Sequence, residues 1–143
     1  MPAKSALQFI GYEVSQLYYK KATNYIGGDE IQISPQFKKN VMEVGEGRYD
    51  VSLGIIISGA EDQLLPFEIC VELTGHFNLI NEGNETEALL KQIINQNTVA
   101  ILFPFLRSTV AAVTLAANIS PVILPVINLA SVFEEESKKQ EEN

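Results

Sequence analysis

The stretch Tyr49-Asp50-Val51-Ser52-Leu53-Gly54-Ile55-Ile56-Ile57 decides the fold. Tyr49, Val51, Leu53, Ile55 and Ile57 fall at every second position, the pattern of a strand with one buried face. Phe67, Ile69, Val71 and Leu73 repeat the pattern against Glu68, Cys70, Glu72 and Thr74. Gly59 to Gln63 supplies a small acidic turn between the two runs, and Gly45-Glu46-Gly47 supplies another before Tyr49. With a strand over Ile31 to Val44 ahead of that turn, three successive strands form a meander.

Working back to the start, the apolar pairs Leu7/Phe9, Tyr12/Val14 and Leu17/Tyr19 change phase around Gly11 and again near Ser15. A long strand with one or two bulges accounts for both shifts. Gly27-Gly28-Asp29 then marks a connection long enough to carry the chain to the far side of the meander.

Beyond the strands the period changes. Asn84 followed by Glu87 has capping-box spacing, and Leu89, Leu90, Ile93 and Ile94 share one helical face. Pro104 suits a first helical turn, so a second helix is predicted from near Phe103 to Asn118, ended by Pro121. Pro121 to Pro125 reads as an extended apolar loop lying against another apolar surface, before a last helix from about Asn128. Glu134 and Glu135, four residues before Lys138 and Lys139, have the order that supports an exposed helix, and 136–143 is a frayed acidic tail. Strands first and helices after them, with no alternation between the two, predict an α+β class: a four-stranded antiparallel sheet with two or three helices packed on one face.

The chain has 143 residues, enough for one domain over 1–143 with its own core. A net charge of −8 opposes a nucleic-acid backbone, so nucleic acid is excluded as a partner. Cys70 is the sole cysteine and His76 the sole histidine, which leaves no disulfide and no Cys/His metal cluster. Cys70 reads as a small core residue and His76 as an ordinary strand-end histidine. Cys70 and His76 do not make a catalytic pair, and Gly27-Gly28-Asp29 lacks the spacing and lysine of a phosphate loop. The reading is non-enzymatic and without cofactor. No export signal follows Lys4, and Arg107, Asn118, Asn128 and the prolines interrupt the apolar span Val99 to Val132, so the expectation is a cytoplasmic protein without membrane insertion.

Ile101-Leu102-Phe103-Pro104-Phe105-Leu106-Arg107, followed by Pro121 and then Pro125-Val126-Ile127-Asn128-Leu129, resembles the SecB family of protein-export chaperones. That family carries a Leu-Phe-Pro-Tyr-x-Arg helix start, a proline-containing loop and a Pro-Val-Asn-Phe entry to its last helix. Thr74-Gly75-His76-Phe77 is similar to the end of its fourth strand. Pro125 lies one residue further from Asn128 than the family pattern, Gly75 stands where many members have two glycines, and Leu129 replaces Phe, the marks of a divergent member.

The resemblance implies subunits pairing through first strands and long helices, two pairs forming a homotetramer, and apolar grooves that hold unfolded polypeptides or preproteins without ATP. The client-binding groove is expected at Phe103, Phe105, Val122, Ile123, Leu124, Phe67, Phe77 and Tyr12, and the oligomer interface at Arg107, Val110 and Val113. Arg107 reads equally as an interface arginine facing a carboxylate and as an exposed, snorkelling one. The motor SecA docks on acids of the family's first strand, and the aligned positions here are Gln16 and Lys20, which predicts weak or absent SecA binding. A dedicated partner of one client, such as an antitoxin, and a structural oligomer without general clients remain open beside the export role.

Overall fold

The computed structural model describes residues 6–22, 35–58, 67–81, 85–119 and 133. Four strands, β1 (Ala6–Lys21), β2 (Gln36–Gly45), β3 (Arg48–Ile57) and β4 (Phe67–Ile80), form one antiparallel sheet in the order β1-β4-β3-β2. The meander is β2-β3-β4, and β1 pairs with β4 on its far side, while Gly27-Gly28-Asp29 lies outside the described residues. Gly47 completes the β2–β3 turn in a left-handed conformation (φ 70°), and a Cβ there would stand 2.9 Å from the Leu79 carbonyl oxygen. Only glycine fits both constraints.

The period-two pattern becomes the core. Val51, Leu53, Ile55 and Ile57 of β3 and Phe67, Ile69, Val71, Leu73 and Phe77 of β4 are buried on the same sheet face. The phase changes in β1 are bulges: the register against β4 shifts between Phe9 and Gly11 and again between Val14 and Gln16. Each bulge spends one residue, Ile10 or Ser15, so Leu7, Phe9, Tyr12, Val14, Leu17 and Tyr19 all pair with core-face positions of β4. β4 runs on to Ile80, which places His76 inside the strand rather than at its end.

The helical part differs from the sequence expectation in three ways. α1 (Glu87–Gln92) is capped by Thr86, whose Oγ1 accepts from the Leu89 N–H at 3.2 Å, while Asn84 lies outside the described residues. Thr86 fulfils the cap role because its hydroxyl reaches the third N–H of the helix. α1 runs through a π-helical turn (Ile93–Asn97) into α2 (Thr98–Ala116), giving one 30-residue helical run rather than two helices. Asn95 Nδ2 donates to the Lys91 carbonyl at 2.9 Å, a side-chain bond that competes with the regular ladder and suits the wider turn. Pro104 therefore sits inside α2 rather than in a first turn. It is tolerated because Pro104 and Ala100, whose carbonyl loses its partner, are both exposed to water.

α2 is ended by Asn118, three residues before Pro121. Asn118 adopts φ 60°, its N–H donates to Leu115 O at 3.0 Å, and the Ile119 N–H donates to Thr114 O at 3.1 Å. This is a Schellman cap with asparagine in the left-handed position. The buried row of α2 is Val99, Leu102, Phe103, Leu106, Val110 and Val113, packed on β4 and β3. The run Glu87–Ala116 has the length and apolar composition to cross a bilayer, but this row is the lid of the sheet core. Gly75 of β4 lets the helix approach, since a Cβ there would meet Leu102 Cδ2 at 2.7 Å and Phe77 Cε2 at 2.8 Å. Phe133 is buried against the same core, and the remainder of the expected last helix lies outside the described residues.

Candidate functional site

Burial by α2 is uneven across the sheet. The helix lies over β3 and β4, so the helix-side residues of the edge strand β1 are covered only in part. Phe9 is half-buried between Phe77 and Phe105, with ring centroids 5.3 and 5.8 Å away. Tyr12 meets Phe105 at 4.7 Å. Further along β1 the cover ends: Tyr12, Val14 and Leu17 are 38%, 47% and 61% exposed although each occupies a core-face position. Tyr19 returns to the core beside Phe67, centroids 6.3 Å apart. The result is an apolar rim, with Tyr12, Val14 and Leu17 on the strand side and Phe105 on the helix side.

Of the sequence-predicted groove residues, Tyr12 and Phe105 meet at this rim. Phe67, Phe77 and Phe103 are corrected to core, being less than a tenth exposed. They occupy the alternate positions of β4 and the inward row of α2, which the opposite layer covers. Val122, Ile123 and Leu124 lie outside the described residues. Val110 and Val113, expected at a subunit interface, belong to the buried row of this chain's own core, because they fall in the same helical stripe as Leu106 and Leu102. Arg107 is half-buried in α2. The outward row of α2 is instead Ala100, Pro104, Ser108, Ala112 and Leu115, small or apolar and without charge, with Leu115 65% exposed. Sequence reasoning missed Val14 and Leu17 as site residues. Their signal was present in the apolar pairs of β1, but exposure depends on where the helix stops covering the sheet.

Among the described residues no helix lies on the opposite sheet face, which is largely polar. Ser52 and Thr74 hydroxyls lie 3.1 Å apart, Thr74 Oγ1 donates to Ser15 Oγ at 3.0 Å, and Ser15 Oγ lies 2.7 Å from Glu72 Oε1. This hydroxyl row crosses β3, β4 and β1 and fixes the second bulge. Beside it His76 stands between two carboxylates, with Nδ1 2.8 Å from Asp50 Oδ1 and Nε2 3.4 Å from Glu13 Oε1. The hydrogen bond to Asp50 raises the imidazole pKa above 6.5, outweighing partial burial, and Glu13 adds to the rise. Cys70 is corrected from core to the half-buried open face, since it alternates with Ile69 and Val71; burial and then the nearby Glu68 raise its thiol pKa. Lys39 lies on the helix side of β2, its Nζ donating to the Asn95 carbonyl at 3.4 Å and lying 5.1 Å from the Phe133 ring centre, and burial lowers its pKa. Among the described residues no three His, Cys, Asp or Glu side chains are grouped to hold a metal.

Among the described residues, a four-stranded sheet backed on one face by a long helix, with an incompletely covered aromatic seam at its edge, defines an α+β subunit that presents apolar surface. Residues 17–140 match the family model of SecB, preprotein translocase subunit SecB, and the chain belongs to that family. An uncharacterized protein of Methanocaldococcus jannaschii is 30% identical over 99% of this chain and 92% of its own length. The protein-export protein SecB of an Azoarcus species is 28% identical, covering 82% of this chain and 76% of that protein. Among solved structures, a SecB-like chaperone of Mycobacterium tuberculosis, in complex with a peptide from the HigA1 antitoxin, superposes with a TM-score of 0.70 at 14% identity, covering 85% of this chain and 90% of that one. The protein is thus a SecB-family chaperone with the four-stranded SecB-like fold, divergent in sequence, and not an enzyme.

Proposed function

We propose that this chaperone holds unfolded polypeptide segments, without nucleotide, on the apolar rim between β1 and α2. The observation that carries this reading is the exposure of Tyr12, Val14 and Leu17 at core-face positions, beside the half-buried Phe105. A soluble domain gains by covering such positions, at about 25 cal/mol per Å² of apolar area removed from water. An extended client can lay alternate side chains along them with little sequence preference. Val122, Ile123 and Leu124 extend the surface on the sequence argument alone. The test is light scattering of a reduced, aggregating client: stoichiometric suppression without ATP supports the reading, and unchanged aggregation at excess chaperone removes it.

Assembly as a homotetramer in the cytoplasm belongs to the same reading. The uncharged outward row of α2 favours it, because a helix face left in water ordinarily carries charge. A second reading is a dedicated partner for one client. It is favoured by the neutral Gln16 and basic Lys20 at the aligned SecA positions and by the likeness to a chaperone bound to an antitoxin peptide. Rescue of one antitoxin but no denatured general client would select it.

A further inference from the structure

A trough of about 350 Å³ interrupts the open sheet face at the end next to the β2–β3 turn, bordered by Ile10, Val44, Arg48, Asp50, His76 and Asn78. Two bulges build its walls. In β1, Ile10 is left unpaired before Gly11, which takes the position opposite His76; in β2, Val44 is left unpaired before Gly45, which takes the position opposite Arg48. Each bulge thus stands an aliphatic side chain beside a residue that has none. Nothing lies within 4 Å of where a Gly11 Cβ would stand, and a Gly45 Cβ would meet only the Arg48 side chain. Ile10 and Val44 are 61% and 50% exposed, and Met42, 56% exposed opposite Asp50, extends the Val44 wall. Exposed aliphatic side chains converge here on one concavity instead of being scattered singly. The floor is polar and divided in charge. Asp50 and Glu13 are taken up by His76, at 2.8 and 3.4 Å. Two residues from Asp50, about 7 Å along β3, the exposed Arg48 stands opposite Asn78 in the ladder. Among the described residues neither side chain has a hydrogen-bond or ion-pair partner.

We propose that this trough is a docking site for an extended polypeptide segment in which an aliphatic residue is followed, two positions later, by Asp or Glu. Side chains two apart in an extended chain leave the same side of the backbone, about 7 Å from each other. The aliphatic one enters between the Ile10 and Val44 walls while the carboxylate reaches Arg48, whose planar fork donates to it bidentately, with the Asn78 amide as a further donor. A basic segment is disfavoured by Arg48 and finds Asp50 and Glu13 already engaged by His76. The site lies on the sheet face turned away from the helix and at the other end of β4 from Glu68 and Glu72. It therefore stands independently of the rim between β1 and α2, and a strand paired along the outer edge of β1 would leave it open.

The experiment is fluorescence anisotropy of the full chain with a labelled, amide-capped peptide, Gly-Ser-Ile-Ser-Asp-Ser-Gly, at low salt. Companion peptides carry Asn or Lys in place of Asp, or Ser in place of Ile. The Asp peptide should bind about fivefold more tightly than the Asn peptide, the upper end for an ion pair open to water. The Lys peptide should bind most weakly. Arg48→Gln, a change at an exposed position, should abolish the preference for Asp over Asn, and Val44→Ser should weaken both peptides alike. Methyl resonances of Ile10 and Val44 should shift with the Asp peptide and stay in place with the version lacking Ile. Equal affinity for the Asp and Lys peptides overturns the proposal, as does a preference for Asp that survives in Arg48→Gln. Absence of binding at millimolar peptide overturns it too, and leaves suppression of client aggregation at the rim to be decided by light scattering.

Discussion

Tyr12 of β1 and Phe105 of α2 stack with ring centroids 4.7 Å apart and planes tilted by 32°. The pair joins an edge strand to the helix at the point where helical cover ends. Phe105 is half-buried from beneath by Phe9, whereas Tyr12 keeps a face in water. A contact of this kind both closes the core and marks the start of the uncovered rim.

The rim is separable from the core by mutation. Val14 and Leu17 are 47% and 61% exposed, so Val14→Ser with Leu17→Ser should change unfolding free energy by only about 0.5 kcal/mol per site, the usual range for surface positions. Client protection in light scattering should fall substantially at an unchanged thermal midpoint. Full protection by the double variant would place the site elsewhere.

Gly75→Ala tests how closely α2 sits on β4. The added methyl would meet Leu102 and Phe77 inside 3 Å, and both side chains are fully buried with no space to retreat. Overpacking of this kind costs about 1–3 kcal/mol. Urea denaturation should show a lower midpoint at an unchanged slope.

The outward row of α2 predicts self-association. Sedimentation of the wild type should give a species heavier than a monomer, and Ala112→Glu, which places a charge in that row, should shift it toward smaller species without unfolding. A wild-type monomer at micromolar concentration would leave the row unexplained.

Much of this architecture is legible in the residues. Strict alternation in Tyr49–Ile57 and Phe67–Leu73 became the buried face, and the two phase changes in β1 became bulges at Ile10 and Ser15. Both follow from period two, a local property. What was not legible is relational. Phe67, Phe77 and Phe103 have the same chemistry as Phe105, and only the lie of α2 makes them core and leaves Phe105 at a rim. Pro104 looked like a helix start because its cost inside a helix depends on whether Ala100 faces water. His76 looked ordinary because Asp50 and Glu13 reach it from strands 26 and 63 residues away in sequence.

The His76 cluster also predicts the sign of a pH effect on stability. Its folded-state pKa is raised, so the stabilisation is fully present below about pH 6.5, the unfolded value, and is lost as pH rises through the higher folded value. The thermal midpoint of the wild type should therefore fall relative to that of His76→Gln as pH rises above about 6.5. A parallel course for the two proteins would mean that the carboxylates contribute no net stabilisation.

SecA provides the last discriminating partner. Gln16 and Lys20 are both exposed on the open face of β1, where the family resemblance leads one to expect acids. Opposite them in the ladder stand Glu72 and Glu68, so Lys20 lies directly across from Glu68 and offsets one of the carboxylates that remain. Complementary charge chiefly sets on-rate and specificity, and an attractive face that has lost two acids and gained a base should recruit a basic partner slowly and weakly. Calorimetry of the wild type with SecA from the same organism should show little or no heat at low salt. Gln16→Asp with Lys20→Glu would restore two acids beside Glu68 and Glu72, at some cost from like charges facing each other across the strands. That variant should bind SecA more tightly, with an affinity that falls as salt is raised. Tight, salt-sensitive binding by the wild type would show that SecA reads other residues on this face, and would favour the export role over a dedicated client.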